Sequence, residues 1–142
     1  MRFEHIEYIN NLWGKELKEV HYLRICQIYE ANRKFSHRVF DKQNLLLVYT
    51  SLKRCGKYDE TVELAKIIYK RWKDDKSLLL LSDAYFSAGK YRKSVDVLKK
   101  IKIKNCDYFI LSGKNSIFLR NGRPELADRI LSSCRKENVE NM

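Results

Sequence analysis

The sequence predicts an all-α fold, a solenoid of paired helices, and three observations carry that expectation. Gly56, Gly89 and Gly122 are spaced 33 residues apart, and each is followed by a base, Lys57, Lys90 and Arg123. Apolar residues on either side of these glycines recur at i, i+3 and i+7, the period of a helix rather than the alternation of a strand. With one proline and five glycines among 142 residues, 44% of them apolar and 33% charged, the composition favours helix over loop or disorder and suffices for the core of one domain.

In chain order, residues 1–40 carry the least regular pattern. The stretch "HIEYINNLW" reads as a short helix with Ile6, Ile9, Leu12 and Trp13 apolar, and Gly14 separates it from "KELKEVHYLRICQIYEANRKF". There Val20, Leu23, Ile25, Cys26 and Tyr29 make an apolar face. The segment is either a divergent first helix pair or a cap over the exposed end of an array.

Residues 41–142 then divide into three units, at 42–74, 75–104 and 105–137. Their first helices are marked by Leu45, Val48 and Leu52, by Leu78, Leu81 and Tyr85, and by Leu111 and Phe118. Their second helices are marked by Val62, Ala65 and Tyr69, by Val95 and Leu98, and by Ala127, Ile130, Leu131 and Cys134. Each glycine suits the left-handed residue that commonly stops a helix, and Pro124 suits the first turn of the next one. Asp59, Glu60 and Glu125 favour helix starts through the macrodipole. Between units, Asp74 or Asp75, and Asn105 or Asp107, are candidate N-caps.

These residues resemble the tetratricopeptide repeats (TPRs), helix pairs of about 34 residues. Leu45, Leu78 and Leu111 match the large apolar residue of the first helix. Ser82 matches the small residue one turn later, where the first unit has Tyr49 instead. Gly56/Tyr58 and Gly89/Tyr91 match the Gly-x-Tyr turn, and Gly122/Pro124 half of it. Ala127, Thr61 and Ser94 stand where a small residue packs the two helices together. The resemblance covers residues 42–137 and implies about 3 to 3.5 repeats, seven to eight helices.

Residues 58–99 are similar, more narrowly, to the N-terminal repeats of the TPR scaffold subunits of the anaphase-promoting complex. Val62, Leu64, Ala65 and Tyr69 match an opening helix. Leu78 to Ser82, Tyr85, Phe86 and the Gly89-Lys90-Tyr91 turn match the run that follows, and Leu98 and Lys99 its end. That resemblance implies a non-enzymatic scaffold of a ubiquitin ligase, active in the cell cycle, whose N-terminal repeats form a homodimer interface and dock other subunits.

The residues themselves point away from chemistry. There is no GxSxG, HExxH, P-loop or GxGxxG. His5, His21 and His37 lie 16 apart, and Cys26, Cys55, Cys106 and Cys134 form no CxxC pair, so neither a metal nor a cofactor is expected. Residues 1–13 are charged throughout and lack the apolar core of a secretory signal, and the apolar runs "LLLVY" and "LLLL" are too short to span a bilayer. An intracellular protein, cytoplasmic or nuclear, with reduced cysteines and no membrane partner is the expectation.

Binding remains. The TPR register places Leu46, Thr50, Lys53, Arg54, Leu79, Asp83, Phe86, Leu119 and Arg120 on the concave face, a candidate groove for a helix or an extended peptide. Some TPR cochaperones clamp a terminal carboxylate with Lys and Asn, and Leu46 and Thr50 at those positions do not support it here. The formal charge is +11, distributed as +2 over residues 1–40, +8 over 41–104 and +1 over 105–142. Lys66, Lys70 and Lys73, at i, i+4 and i+7, form a candidate basic stripe for phosphates. Three function classes follow. The first is a homodimerising protein-interaction scaffold. The second is a small TPR chaperone holding a partner helix, of the type III secretion kind. The third is a basic helical repeat that binds RNA.

Overall fold

A computed structural model describes residues 3–119, and every regular element among them is helical. The helices are α1 (Phe3–Asn10), α2 (Glu19–Ala31), α3 (Arg33–Val39), α4 (Lys42–Arg54), α5 (Tyr58–Trp72), α6 (Asp75–Ser87), α7 (Tyr91–Leu98) and α8 (Cys106–Leu119). The expected Gly122 turn, the helix marked by Ala127, Ile130, Leu131 and Cys134, and Arg120 lie outside the described residues. The chain divides into two compact units, residues 1–70 and 71–142.

The repeated glycines act as expected from their spacing. Gly56 and Gly89 have φ of +74° and +78°. After each, the same pair of hydrogen bonds closes the helix. Gly56 N donates to Lys53 O at 3.1 Å and Lys57 N to Leu52 O at 2.9 Å. Gly89 N donates to Phe86 O at 3.0 Å and Lys90 N to Tyr85 O at 2.8 Å. These are Schellman caps, which satisfy carbonyls that a helix end would otherwise leave open. A Cβ at either glycine would meet nothing within 4 Å, so the left-handed backbone alone selects glycine there.

The helix starts resolve the capping alternatives. Asp74 Oδ1 accepts from Ser77 N at 2.8 Å, and Asn105 Oδ1 accepts from Tyr108 N at 3.0 Å. Asp75 is freed for another bond, its Oδ2 accepting from Ile103 N at 2.9 Å. Asp41 caps α4 in the same manner, through Asn44 N at 2.8 Å.

In the first unit α2 packs on α3 and α4. Ile25, Cys26, Ile28 and Tyr29 of α2 and Leu45, Val48, Tyr49 and Leu52 of α4 are buried. The α2 face differs from the expected one: Val20 and Leu23 are 63% and 53% exposed. The buried set Tyr22, Ile25, Cys26 and Tyr29 follows i, i+3, i+4, i+7, and Val20 and Leu23 fall outside that stripe. The segment also breaks at Asn32, whose Nδ2 donates to Ile28 O at 2.9 Å, before α3 begins. Polar side chains tie α1 to α4. Asn44, buried, accepts from Trp13 Nε1 at 2.9 Å and donates to Asn10 Oδ1 at 3.0 Å.

In the second unit α6, α7 and α8 pack on one another. Ser82 and Ser94, both fully buried, let α6 and α7 approach closely. Each hydroxyl donates to the other residue's backbone carbonyl at 2.8 Å. Asn115 of α8 joins them, its Nδ2 donating to Ser94 Oγ at 2.9 Å and to Leu111 O at 3.0 Å.

Candidate groove between helices 6 and 8

The second unit carries a cleft of about 290 Å³ between α6 and α8. Its apolar lining is Leu79, Leu80, Ile110 and Leu111, and its charged lining is Lys76, Asp83, Asp107 and Lys114. A smaller cavity of about 140 Å³ shares Lys76 and Leu79 and adds Asp75, Ile101, Ile103, Asn105 and Tyr108. Ile103 there is 75% exposed. The cleft forms because α6 and α8 each present one periodic face. Lys76, Leu79 and Asp83 stand at i, i+3 and i+7 on α6, and Asp107, Ile110 and Lys114 repeat that spacing on α8 with the charges exchanged. The four charges sum to zero in a chain of +11. The chemistry on offer is desolvation of apolar groups, with both signs of charge at the edge to orient them.

Of the residues expected in a groove, Leu79 and Asp83 line this cleft. Phe86 instead belongs to an aromatic cluster. Its ring centroid lies 5.3 Å from Tyr91 and 5.4 Å from Phe118, and Tyr91 and Phe118 stack at 4.8 Å. Lys114 Nζ sits 5.9 Å from the Phe86 ring. Leu119 is 39% exposed at the end of α8, and Arg120 is outside the described residues. The other expected groove residues lie in the first unit. Leu46 and Lys53 are half-buried, and Thr50 is exposed with its hydroxyl donating to Leu46 O at 3.1 Å. Arg54 turns to α2, with its guanidinium 4.7 Å from the Tyr22 ring centroid and 3.6 Å from Glu19.

Lys66 and Lys70 are exposed on α5, and Lys73 follows the helix with φ +52°, a left-handed conformation unusual for a side-chain-bearing residue. Sequence reasoning missed Lys76, Leu80, Asp107, Ile110, Leu111 and Lys114 as site residues. The signal was present as the charge-exchanged repeat of Lys76-Leu79-Asp83 in Asp107-Ile110-Lys114, 31 residues on.

Two of the perturbed titrations in the first unit belong to neighbouring side chains. Tyr29 Oη and His37 Nε2 are 2.6 Å apart. Burial pushes the Tyr29 phenol up to about 12, and burial, with Arg33 nearby, holds His37 below its ordinary 6.5. Both shifts fit a phenol donating to a neutral imidazole. Among the described residues no three of His, Cys, Asp and Glu are grouped to hold a metal, and no helix is long and apolar enough to cross a membrane.

A scan of protein-family models, a search of curated proteins and a search of solved structures each found no match for this chain.

Proposed function

We propose that this chain is a non-enzymatic protein-interaction module of TPR-like helix pairs, and that the α6–α8 cleft receives apolar side chains of a partner protein. The observation that carries the reading is that cleft, with Leu79, Leu80, Ile110 and Leu111 bounded by two lysines and two aspartates. The identical Schellman caps after α4 and α6, and the close Ser82–Ser94 contact, support the helix-pair repeat. The narrower form of the proposal is a homodimerising scaffold subunit of a multisubunit ubiquitin ligase of the anaphase-promoting type. It rests on the resemblance of residues 58–99.

Two measurements test these levels separately. Peptides selected from a random display library on the purified chain are expected to lose at least about tenfold in affinity on Leu79→Ser/Ile110→Ser, since each buried aliphatic side chain contributes about 1.5–3 kcal/mol. They are expected to bind Lys66→Glu/Lys70→Glu unchanged. Selected peptides indifferent to the cleft variant would refute the cleft as the site, and salt-sensitive RNA retention lost on the lysine variant would favour the nucleic-acid reading. Light scattering is expected to give a homodimer; a monomer at tens of micromolar removes the narrower form and leaves the cleft standing.

A further inference from the structure

Contacts run in register between α2 and the turn that follows α4. At one end Arg54 lies over the Tyr22 ring and beside Glu19. At the other, the Lys57 ammonium pairs with Glu30. Residues four apart share a helix face, so Tyr22, Cys26 and Glu30 line one side of α2. Facing them in the same order are Arg54, Cys55 and Lys57. The middle rung is therefore a pair of cysteines. Cys26 is buried and Cys55 half-buried, both are free thiols, and each lies within electrostatic reach of the other.

We propose that Cys26 and Cys55 form a dithiol site that a peroxide closes to an intrachain disulfide, tying α2 to the end of α4. The contacts on either side, Arg54 with Tyr22 and Lys57 with Glu30, keep these two positions side by side before any reaction, as a disulfide needs. Cys55 is the C-cap of α4, with φ −82° and ψ 3°, and Gly56 follows it in the left-handed region. The disulfide thus closes at a helix end rather than within the helix body.

The accessible thiol reacts first. The Cys55 thiolate attacks one peroxide oxygen, the O–O bond breaks, and the departing hydroxide takes up the thiol's proton as water. Cys55 is left as a sulfenic acid. The Cys26 sulfur then attacks the Cys55 sulfur. The S–S bond forms, the S–O bond breaks, and hydroxide leaves with the Cys26 proton as a second water. Two thiols give up two electrons and the peroxide takes them. Burial first, and then Cys55, push the Cys26 thiol up to about 12. Cys26 alone is therefore a poor nucleophile toward peroxide, which assigns it the resolving step.

The test uses the full chain treated with one equivalent of hydrogen peroxide, followed by intact mass and a non-reducing tryptic map. Trypsin cuts after Arg24, Arg33, Arg54 and Lys57, so residues 25–33 and 55–57 are expected as one linked species that dithiothreitol separates. The intact mass falls by two hydrogens in the native chain and in Cys106→Ser, but not in Cys55→Ser, and the oxidised chain unfolds at higher urea. Cys55→Ser sits at a half-buried turn, and circular dichroism confirms that it is folded. As a measurement independent of oxidation, phenylarsine oxide, which needs two adjacent thiols, binds the native chain with a 1:1 stoichiometry and loses that binding in Cys55→Ser. Gain of oxygen without loss of hydrogen, an unchanged mass, or a disulfide that maps to Cys106, Cys134 or a second chain would each overturn the proposal.

Discussion

Asn44 in the first unit and Asn115 in the second are both buried asparagines on helices, and they are used in opposite ways. Asn44 engages both ends of its amide, accepting from Trp13 and donating to Asn10, so it joins α1, the following turn and α4. Asn115 uses only its nitrogen, and its Oδ1 is buried without a hydrogen-bond partner among the described residues. The same contrast runs through the units. In residues 1–70, charged side chains bridge helices: Arg33 to Glu60 at 3.2 Å, Lys57 to Glu30, and Arg54 to Glu19. In residues 71–142 the helices meet through small side chains, Ser82 and Ser94, while Lys76 and Asp107 stand at the rim of a cleft. The first unit thus joins its elements partly through charged side chains near its surface, and the second joins α6, α7 and α8 through small polar groups buried between them.

Substitutions can break this comparison, and the two tryptophans, Trp13 and Trp72, fall one in each unit, so single-Trp variants report the units separately. The largest effect is expected in the first core: Ile25→Ala empties a fully buried site and costs about 3 kcal/mol in urea unfolding read at Trp13. Next is Ser94→Leu, which forces a bulky side chain between α6 and α7 and breaks the reciprocal hydroxyl bonds. It costs about 2–3 kcal/mol, read at Trp72. The asparagines sharpen the contrast. Asn44→Ala removes a buried amide bonded at both ends, to Trp13 and Asn10, and is expected to cost about 2 kcal/mol, whereas Asn115→Ala also removes an unpaired oxygen and costs about 1 kcal/mol or less. Equal losses at the two positions would contradict the difference drawn here.

The Tyr29–His37 pair contributes to the pH response of the first unit. His37 titrates lower in the folded chain than its ordinary 6.5, so the unfolded chain binds more protons below that pH. Stability therefore falls as pH drops through about 6.5 toward the depressed value. Tyr29 titrates at about 12 instead of 10, so its contribution is full below pH 10 and is lost as pH rises toward 12. His37→Gln is expected to flatten the acid limb of the Trp13 urea midpoint plotted against pH. The smallest effect is at Lys73: replacing this left-handed residue by glycine relieves backbone strain and is expected to raise stability by about 0.5–1 kcal/mol.

The helices themselves were largely legible in the sequence. Gly56 and Gly89 mark helix ends because only a residue tolerant of positive φ completes a Schellman cap, a demand that acts within six residues. The buried faces of α4 and α6 followed from Leu45, Val48 and Leu52 and from Leu78, Leu81 and Tyr85, because a helix turns its periodic positions to one side. The α2 face was misread at Val20 and Leu23, since hydrophobicity alone does not say which of two possible stripes a neighbouring helix will cover. The candidate site was legible only in small part. Leu79 and Asp83 were named, but Phe86 went to an aromatic cluster and Arg54 to the Tyr22 ring.

Local chemistry thus determined the all-helical character, the glycine turns, the caps and the core periodicity, for these depend on residues within a turn or two of one another. The tertiary structure decided what lay across from each face: Asp107, Ile110 and Lys114 across the cleft from Lys76, Leu79 and Asp83, the serine pair between α6 and α7, and Cys55 beside Cys26. Such pairings depend on which helices pack together and in what register. That choice is made by the sum of many weak contacts over the whole unit, so no short stretch of sequence encodes it.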